Sequence, residues 1–475
     1  MIKKLFLLLF ALSTVVCGFA QSNIKLHFPG AENKTAHVWA YSDFVSFSKM
    51  ELSTVEIDKK GNFEFKLVLK QAIPIFIQVN YIRIQLYIEP NQDYEIEIDA
   101  VDFENEEFYP KTVIGYLSPK FRIVKPTDKE LNRGLEDCNN MFSAFIDSNY
   151  LSLIRGQNTD ILVDSFRYRV SSFTKQYGNE YLDSYAKFQM IQLRLLSHEY
   201  STQMVVDSFF TGKKLNLHDP MAMEFFNGFW SNYLLNKAKG FTIYQLDSVI
   251  NIQKSYQALS ALLTNDPLLQ DNVLRELVII RNLQQLYSNR QFDKKAIIHL
   301  LYDISRTKLR KEHQQIAVNV RKRLTSYERG SKVKDFNFTD INGQKIKLSD
   351  FEGMYVYISI WDINCPECLA EMEYTKELYE EFDDIIKFIS ISVDADPEAM
   401  KAYVKSRDLP WTFCSLGENY QFLNDYNIVV LPRYILIDKD GKMELMKAPN
   451  PSNHFADYFL KMLNDKKGNL QLKNR

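Results

Sequence analysis

Two cysteines stand three residues apart in the run Trp361-Asp362-Ile363-Asn364-Cys365-Pro366-Glu367-Cys368. Thiols at this spacing can clamp a metal, close a staple, or exchange electrons with another disulfide. A structural zinc site needs four ligands, usually two such pairs or one pair with histidines. This chain has no second Cys-x-x-Cys, and of its seven histidines only His454 follows residue 330. A staple this short closes a tiny loop and gains little chain entropy. The redox reading uses every neighbouring residue. Met354 to Ile360 reads as a buried strand and Cys368 to Phe382 as a helix, so the strand delivers Cys365 to a helix N-terminus. There the helix dipole and the free amides favour thiolate over thiol. Pro366 suits the first helical turn, where its missing N–H costs nothing. Cys368, one turn on and expected to be the more buried, is placed to resolve a mixed disulfide. The charge of Glu367 opposes a very low thiolate pKa.

The elements around the pair alternate. Met354–Ile360 and Ile385–Val393 are apolar and rich in β-formers, as buried central strands are. Pro397–Arg407 reads as a second helix and Tyr434–Ile437 as a further strand, closed by the turn Asp438-Lys439-Asp440-Gly441. Strands alternating with helices predict an α/β domain with a sheet at its centre. Cys414 and Cys138 are expected to be buried, inert thiols.

From about Lys334 to Lys461 the chain resembles the thioredoxin superfamily, and within it the exported TlpA/ResA-like thiol–disulfide oxidoreductases. Phe336–Gly343 with Ile346–Phe351 resembles the family's leading hairpin. Trp361 matches the tryptophan before the active site, and Cys365-Pro366-Glu367-Cys368 matches the redox motif. Glu371 matches an acidic residue implied to assist proton transfer, and Ser392-Val393-Asp394 matches the strand end after the first long helix. Val430-Leu431-Pro432 matches the cis-proline segment, where Pro432 would let an extended substrate pair along the backbone of Leu431. The resemblance implies a catalytic set of Cys365, Cys368, Glu371 and Pro432. It also implies protein disulfides as substrate and a membrane electron donor as partner. The sequence departs from the family at Asp362 and Asn364. It departs again at Glu373, where relatives carry a helix-kinking proline, and Ser359 stands where thioredoxin keeps a buried aspartate.

The front of the chain is built otherwise. Gln21 to Ser118 reads as β, with period-two alternation in Ile24–Phe28, Ile82–Leu86 and Tyr94–Ile98. Val55-Glu56-Ile57 and Phe63-Glu64-Phe65 flank a hairpin-type turn at Asp58–Gly61. Short strands with turns between them predict a small sandwich. From Thr127 the period becomes helical. Thr127–Glu130 reads as a capping box, and Asp219-Pro220 and Asp266-Pro267 as helix starts. Leu268–Tyr287 and Lys294–Tyr327 read as long helical runs. Phe225–Trp230 is expected in a core, and the basic residues between Arg306 and Arg323 on a solvated face. Gly330-Ser331-Lys332 ends this region. The expected organisation is a leader over 1–20, a β-rich domain over 21–118, a helical domain over 127–330 and the thioredoxin-like domain over 333–475. The first two domains vaguely resemble the N-terminal extensions of such proteins in Bacteroidetes.

Lys3 and Lys4, the apolar run Leu5–Val16 and Gly18-Phe19-Ala20 form a secretory leader, with Gln21 the expected new N-terminus. This places the chain in the periplasm or cell envelope. Lipid anchoring through Cys17 is the alternative, against which the bulk of Val16 counts. The 475 residues are 46% hydrophobic and carry a formal charge of -2. Such a balance favours no nucleic-acid partner, and no residue pattern suggests a cofactor or metal. Three rivals remain. One is a partner-binding envelope protein whose thioredoxin-like domain is vestigial or serves only recognition. Another is a peroxidase, which would want threonine where Asp362 stands. The third is an isomerase or oxidase, which differs from a reductase only in redox poise.

Overall fold

The structure is a computed structural model. It describes residues 21–103, 115–156, 159–197, 200–213, 215–308, 310–394 and 397–473. The leader and Cys17 lie outside these residues.

The alternating N-terminal segments form eight strands: β1 (Gln21–His27), β2 (Thr35–Tyr41), β3 (Lys49–Glu56), β4 (Asn62–Val68), β5 (Ile73–Val79), β6 (Ile82–Ile88), β7 (Tyr94–Ile98) and β8 (Phe121–Lys125). They make two four-stranded sheets, ordered β4-β1-β7-β8 and β3-β2-β5-β6. In β1 the buried residues are Ser22, Ile24 and Leu26, and in β4 they are Phe63, Phe65 and Leu67, so one face of that sheet fills the space between the layers. The turn at Asp58–Gly61 forms as expected, with Asp58 Oδ1 accepting from the N–H of Lys60 at 2.7 Å and of Asn62 at 2.8 Å. Gly61 has φ +78°, and a Cβ there would lie 2.7 Å from the carbonyl oxygen of Phe28. Its flanking strands, however, do not pair with each other. β3 pairs with β2 and β4 with β1, so this tight turn carries the chain from one sheet to the other.

Helices follow from residue 131: α1 (Leu131–Arg155), α2 (Thr159–Tyr177), α3 (Glu180–Leu196), α4 (Thr202–Phe209), α5 (Pro220–Phe229), α6 (Tyr233–Asn236), α7 (Ile243–Asp247), α8 (Tyr256–Leu263), α9 (Asn272–Leu286), α10 (Lys294–Ile304) and α11 (Lys311–Thr325). Thr127 is not their cap. Glu130 itself caps α1, its carboxylate accepting from the N–H of Asn132 and Arg133, both at 2.9 Å. Asp219 caps α5 with Pro220 at its first turn. Asp266-Pro267 opens only a three-residue 3-10 turn, and Asp271 caps the long α9. The run Lys294–Tyr327 is two helices, not one, with its break after Ile304. Phe226 and Trp230 are fully buried in the helical core, as the sequence suggested.

The C-terminal region is a seven-stranded mixed sheet. Its strands are β9 (Asn337–Asp340), β10 (Lys345–Lys347), β11 (Tyr355–Trp361), β12 (Ile386–Ser392), β13 (Thr412–Ser415), β14 (Arg433–Ile437) and β15 (Met443–Leu445), in the order β10-β9-β13-β12-β11-β14-β15. The helices are α12 (Pro366–Phe382), α13 (Pro397–Arg407), α14 (Tyr420–Asp425) and α15 (Phe455–Lys473). Central β11 is buried at every position, which is why its sequence lacks alternation. It runs parallel to β12 and antiparallel to β14. The short strand β13, which carries Cys414, escaped the sequence reading.

The sandwich and this sheet share one continuous apolar core. At their junction Asn424 of α14 accepts from Arg83 at 3.1 Å and from the hydroxyl of Tyr116, and donates to Gln78 Oε1 at 3.2 Å. The rings of Tyr420 and Tyr81 lie 6.1 Å apart beside it.

Candidate redox site

Cys365 and Cys368 form a disulfide, with their Cα atoms 5.2 Å apart. Cys365 is the N-cap of α12, and the N–H of Cys368 points at its Sγ from 3.2 Å. The sulfur thus occupies the place where a capping oxygen accepts from the first free amides, and the same amides would hold a thiolate. Pro366 follows as the first helical residue and is exposed, as is Glu367. The expected contrast in burial between the two cysteines is absent. Cys365 is 0% exposed and Cys368 is 1%.

Trp361 ends β11 fully buried, its ring 5.8 Å from Tyr403 and 5.9 Å from Phe413. Register on the antiparallel neighbour sets Ile360 opposite Arg433. Pro432, in a cis bond to Leu431, therefore stands near the end of the strand that leads to Cys365. Val429 and Val430, just before it, are about half exposed.

Glu371 lies three residues after Cys368 and is buried on α12. Its carboxylate accepts from the Ser452 N–H at 3.0 Å, the Ser452 hydroxyl at 2.5 Å and the Asn450 side-chain amide at 3.4 Å. Its charge, after burial, holds the phenol of Tyr434 well above the usual tyrosine range, with Glu367 adding to the effect. Nothing in the sequence pointed to Asn450 and Ser452, which sit about eighty residues away in a loop before α15.

The departures from the family pattern take definite places. Glu373 pairs with Arg407 at 3.6 Å on the outer face of an uninterrupted α12. The buried Ser359 hydroxyl lies 2.6 Å from that of Ser390, which also accepts from Trp411 Nε1 at 2.8 Å. Asp362 is buried and acts on Asp394. Burial first, then the charge of Asp362, pushes the Asp394 carboxyl up to about 7. Cys138 and Cys414 are buried free thiols, each pushed up to about 12 chiefly by burial.

A two-cysteine couple at the N-terminus of the helix that follows the central strand of a mixed sheet defines a thioredoxin-like redox domain. Comparison with known proteins agrees. Residues 328–458 match the Redoxin family. The thiol-disulfide oxidoreductase ResA of Bacillus thuringiensis is 31% identical over 137 residues, which are 28% of this chain and 79% of that protein. ResA of Bacillus subtilis is 29% identical over 119 residues, 25% of this chain and 66% of that protein. Among solved structures, a putative thiol-disulfide oxidoreductase from Bacteroides vulgatus is 33% identical, covering 27% of this chain and 87% of its own, with a TM-score of 0.26. The chain belongs to the thioredoxin superfamily, among its TlpA/ResA-like thiol–disulfide oxidoreductases. Its C-terminal region is the enzyme.

Proposed function

We propose that this protein is an exported reductase of protein disulfides, in which Cys365 is the nucleophile and Cys368 the resolving thiol. The observation that carries this is the Cys368 N–H aimed at Cys365 Sγ from the first turn of α12, because that arrangement favours a thiolate. The Cys365 thiolate attacks one sulfur of a substrate disulfide. A mixed disulfide forms, the substrate S–S bond breaks, and the departing sulfur takes a proton. Cys368, once deprotonated, attacks Cys365 Sγ. The second substrate thiol leaves, and the Cys365–Cys368 disulfide is restored. Two electrons and two protons have passed to the substrate. Glu371, one turn beyond Cys368, is the group we assign to moving the Cys368 proton. Pro432 offers no N–H, and its segment shapes the edge along which substrate lies. Trp361, Pro366 and Glu367 frame the pair.

Export rests on the leader over residues 1–20. Recharging by a membrane electron donor rests on the family alone. The division into 21–118, 127–330 and 333–475 is part of the same proposal, with the two front domains positioning the redox domain or binding a partner.

The test is the reduction potential of the pair, by glutathione or dithiothreitol titration with alkylation read at the Cys365–Cys368 peptide. A potential near roughly -270 mV, typical of thioredoxin, supports a reductase, whereas one near roughly -120 mV overturns the direction and points to disulfide insertion.

A further inference from the structure

Two carboxyl groups are buried beside the redox disulfide. Asp362 is 2% exposed and Asp394 9%, and the two carboxyl groups act on each other. Two like charges held together out of water are costly, so the arrangement favours a proton on one of the two. The pairing follows from topology. The parallel register sets Trp361 against Ser392, which brings the residues just beyond the ends of β11 and β12 together.

The pair also holds the linker between β11 and α12. The Ile363 N–H donates to Asp394 at 3.0 and 3.2 Å, and the Asn364 N–H donates to Asp362 Oδ1 at 2.6 Å. The Cys365 N–H ends on the Asp362 carbonyl at 3.1 Å. All three amides that lead into the nucleophile are therefore fixed by these two residues. The Ser392 hydroxyl donates to Asp394 from below.

We propose that Asp362 and Asp394 are positioning residues of the redox centre: a carboxyl pair sharing one proton, which fixes the linker carrying Cys365 and whose charge governs how readily Cys365 ionises. With the shared proton in place the pair bears one negative charge. When that proton leaves, a second negative charge appears in a site closed to water, and a like charge disfavours the Cys365 thiolate.

Among the described residues, the groups acting on Asp394 are Asp362, the Ser392 hydroxyl and the Ile363 amide. On α12, Glu367 is exposed and Glu373 is paired with Arg407 of α13. On α13, Lys401 is paired with Glu398 at 3.7 Å, and Tyr403 packs on Trp361. The inference rests on the dithiol alone and stands whichever way electrons flow.

The test uses the full reduced chain. Iodoacetamide modification of Cys365 is followed by mass spectrometry from well below to well above pH 7. The native protein should show two inflections, one from the pair and one from the thiol. Asp394→Asn keeps an oxygen for the Ile363 N–H and an amide donor for Asp362, so the linker stays held while the second ionisation is lost. Its profile should have one inflection, with modification on the alkaline side of the lost step faster by roughly three- to tenfold. Asp362→Asn should also give a single inflection, and it decides the matter if the first variant does not fold. Asp384→Asn, at an exposed carboxylate of the same domain, should keep the native profile. A profile for both pair variants that superposes on the native one overturns the proposal. So does the same change in Asp384→Asn, since it would reduce the effect to general charge.

Discussion

Replacing Glu371 separates two tasks that one carboxylate can hold. The first is structural. Glu371 is 7% exposed and accepts two good hydrogen bonds from Ser452, at 3.0 and 2.5 Å, and a long one from Asn450. A hydrogen bond to a charged group is worth about 1.5–3 kcal/mol. Ser452 is exposed, so its donors return to water when the carboxylate is removed. Glu371→Ala should therefore cost about 2–4 kcal/mol, less than the full sum. Glu371→Gln keeps one oxygen for the Ser452 N–H, and its amide can donate to the Ser452 hydroxyl. Its cost should be about 1 kcal/mol. Urea unfolding reads the global effect, and amide exchange at Ser452 the local one. The second task is chemical. Neither variant can take a proton, so if Glu371 serves Cys368 both should lose turnover with a disulfide peptide by about a hundredfold. Stability should thus rank native above Gln above Ala, while activity puts Gln and Ala together. A Gln variant with native turnover would refute the proton-transfer role and leave Glu371 as the anchor of its loop. A Gln variant as unstable as Ala would refute the hydrogen-bond arithmetic.

Other outcomes are expected. Cys365→Ser should abolish disulfide exchange, whereas Cys368→Ser should accumulate a mixed disulfide with substrate, visible by mass spectrometry without reductant. Cys138 and Cys414, each held at about 12 chiefly by burial, should stay unmodified by iodoacetamide near neutral pH while reduced Cys365, at its helix N-terminus, reacts; labelling of either as fast as Cys365 would contradict their raised pKa. Asp394 is raised in the fold, so the folded state keeps a proton there that the unfolded chain releases. Its contribution is fully present below about pH 4 and is lost as the pH climbs towards 7. The urea midpoint should fall across that window and fall less in Asp394→Asn; an unchanged slope would refute the assignment. Asn424→Ala removes its bonds to Arg83 and Gln78 and should cost about 1–3 kcal/mol. It should speed proteolysis between the sandwich and the redox domain and leave the reduction potential unaltered.

The sequence determined what is local. Uninterrupted apolar runs gave β11 and β12 away, because a strand buried on both faces has no polar side to show. Asp219-Pro220 marked the start of α5, since an N-cap and the fixed φ of proline act within one turn. The cysteine spacing and Pro366 named the redox pair for the same reason: a helix start concentrates its amides within a few residues. Where sequence misled, the deciding partner was distant or rival. The turn at Asp58–Gly61 was legible, yet whether its strands pair or part depends on β1 and β2, which offer other edges. Thr127 lost its capping role to Glu130, whose carboxylate reaches the same free amides from one residue before the helix.

Only tertiary structure decided the surroundings of the dithiol. It closed Cys365 from solvent, set Ser452 on Glu371, and brought Asp394 to Asp362 through the register of two parallel strands. Such contacts join residues thirty to eighty positions apart, and no periodicity carries them. The chain's own order supplied a nucleophile at a helix N-terminus. The folded sheet supplied the charges around it, because charges act through space.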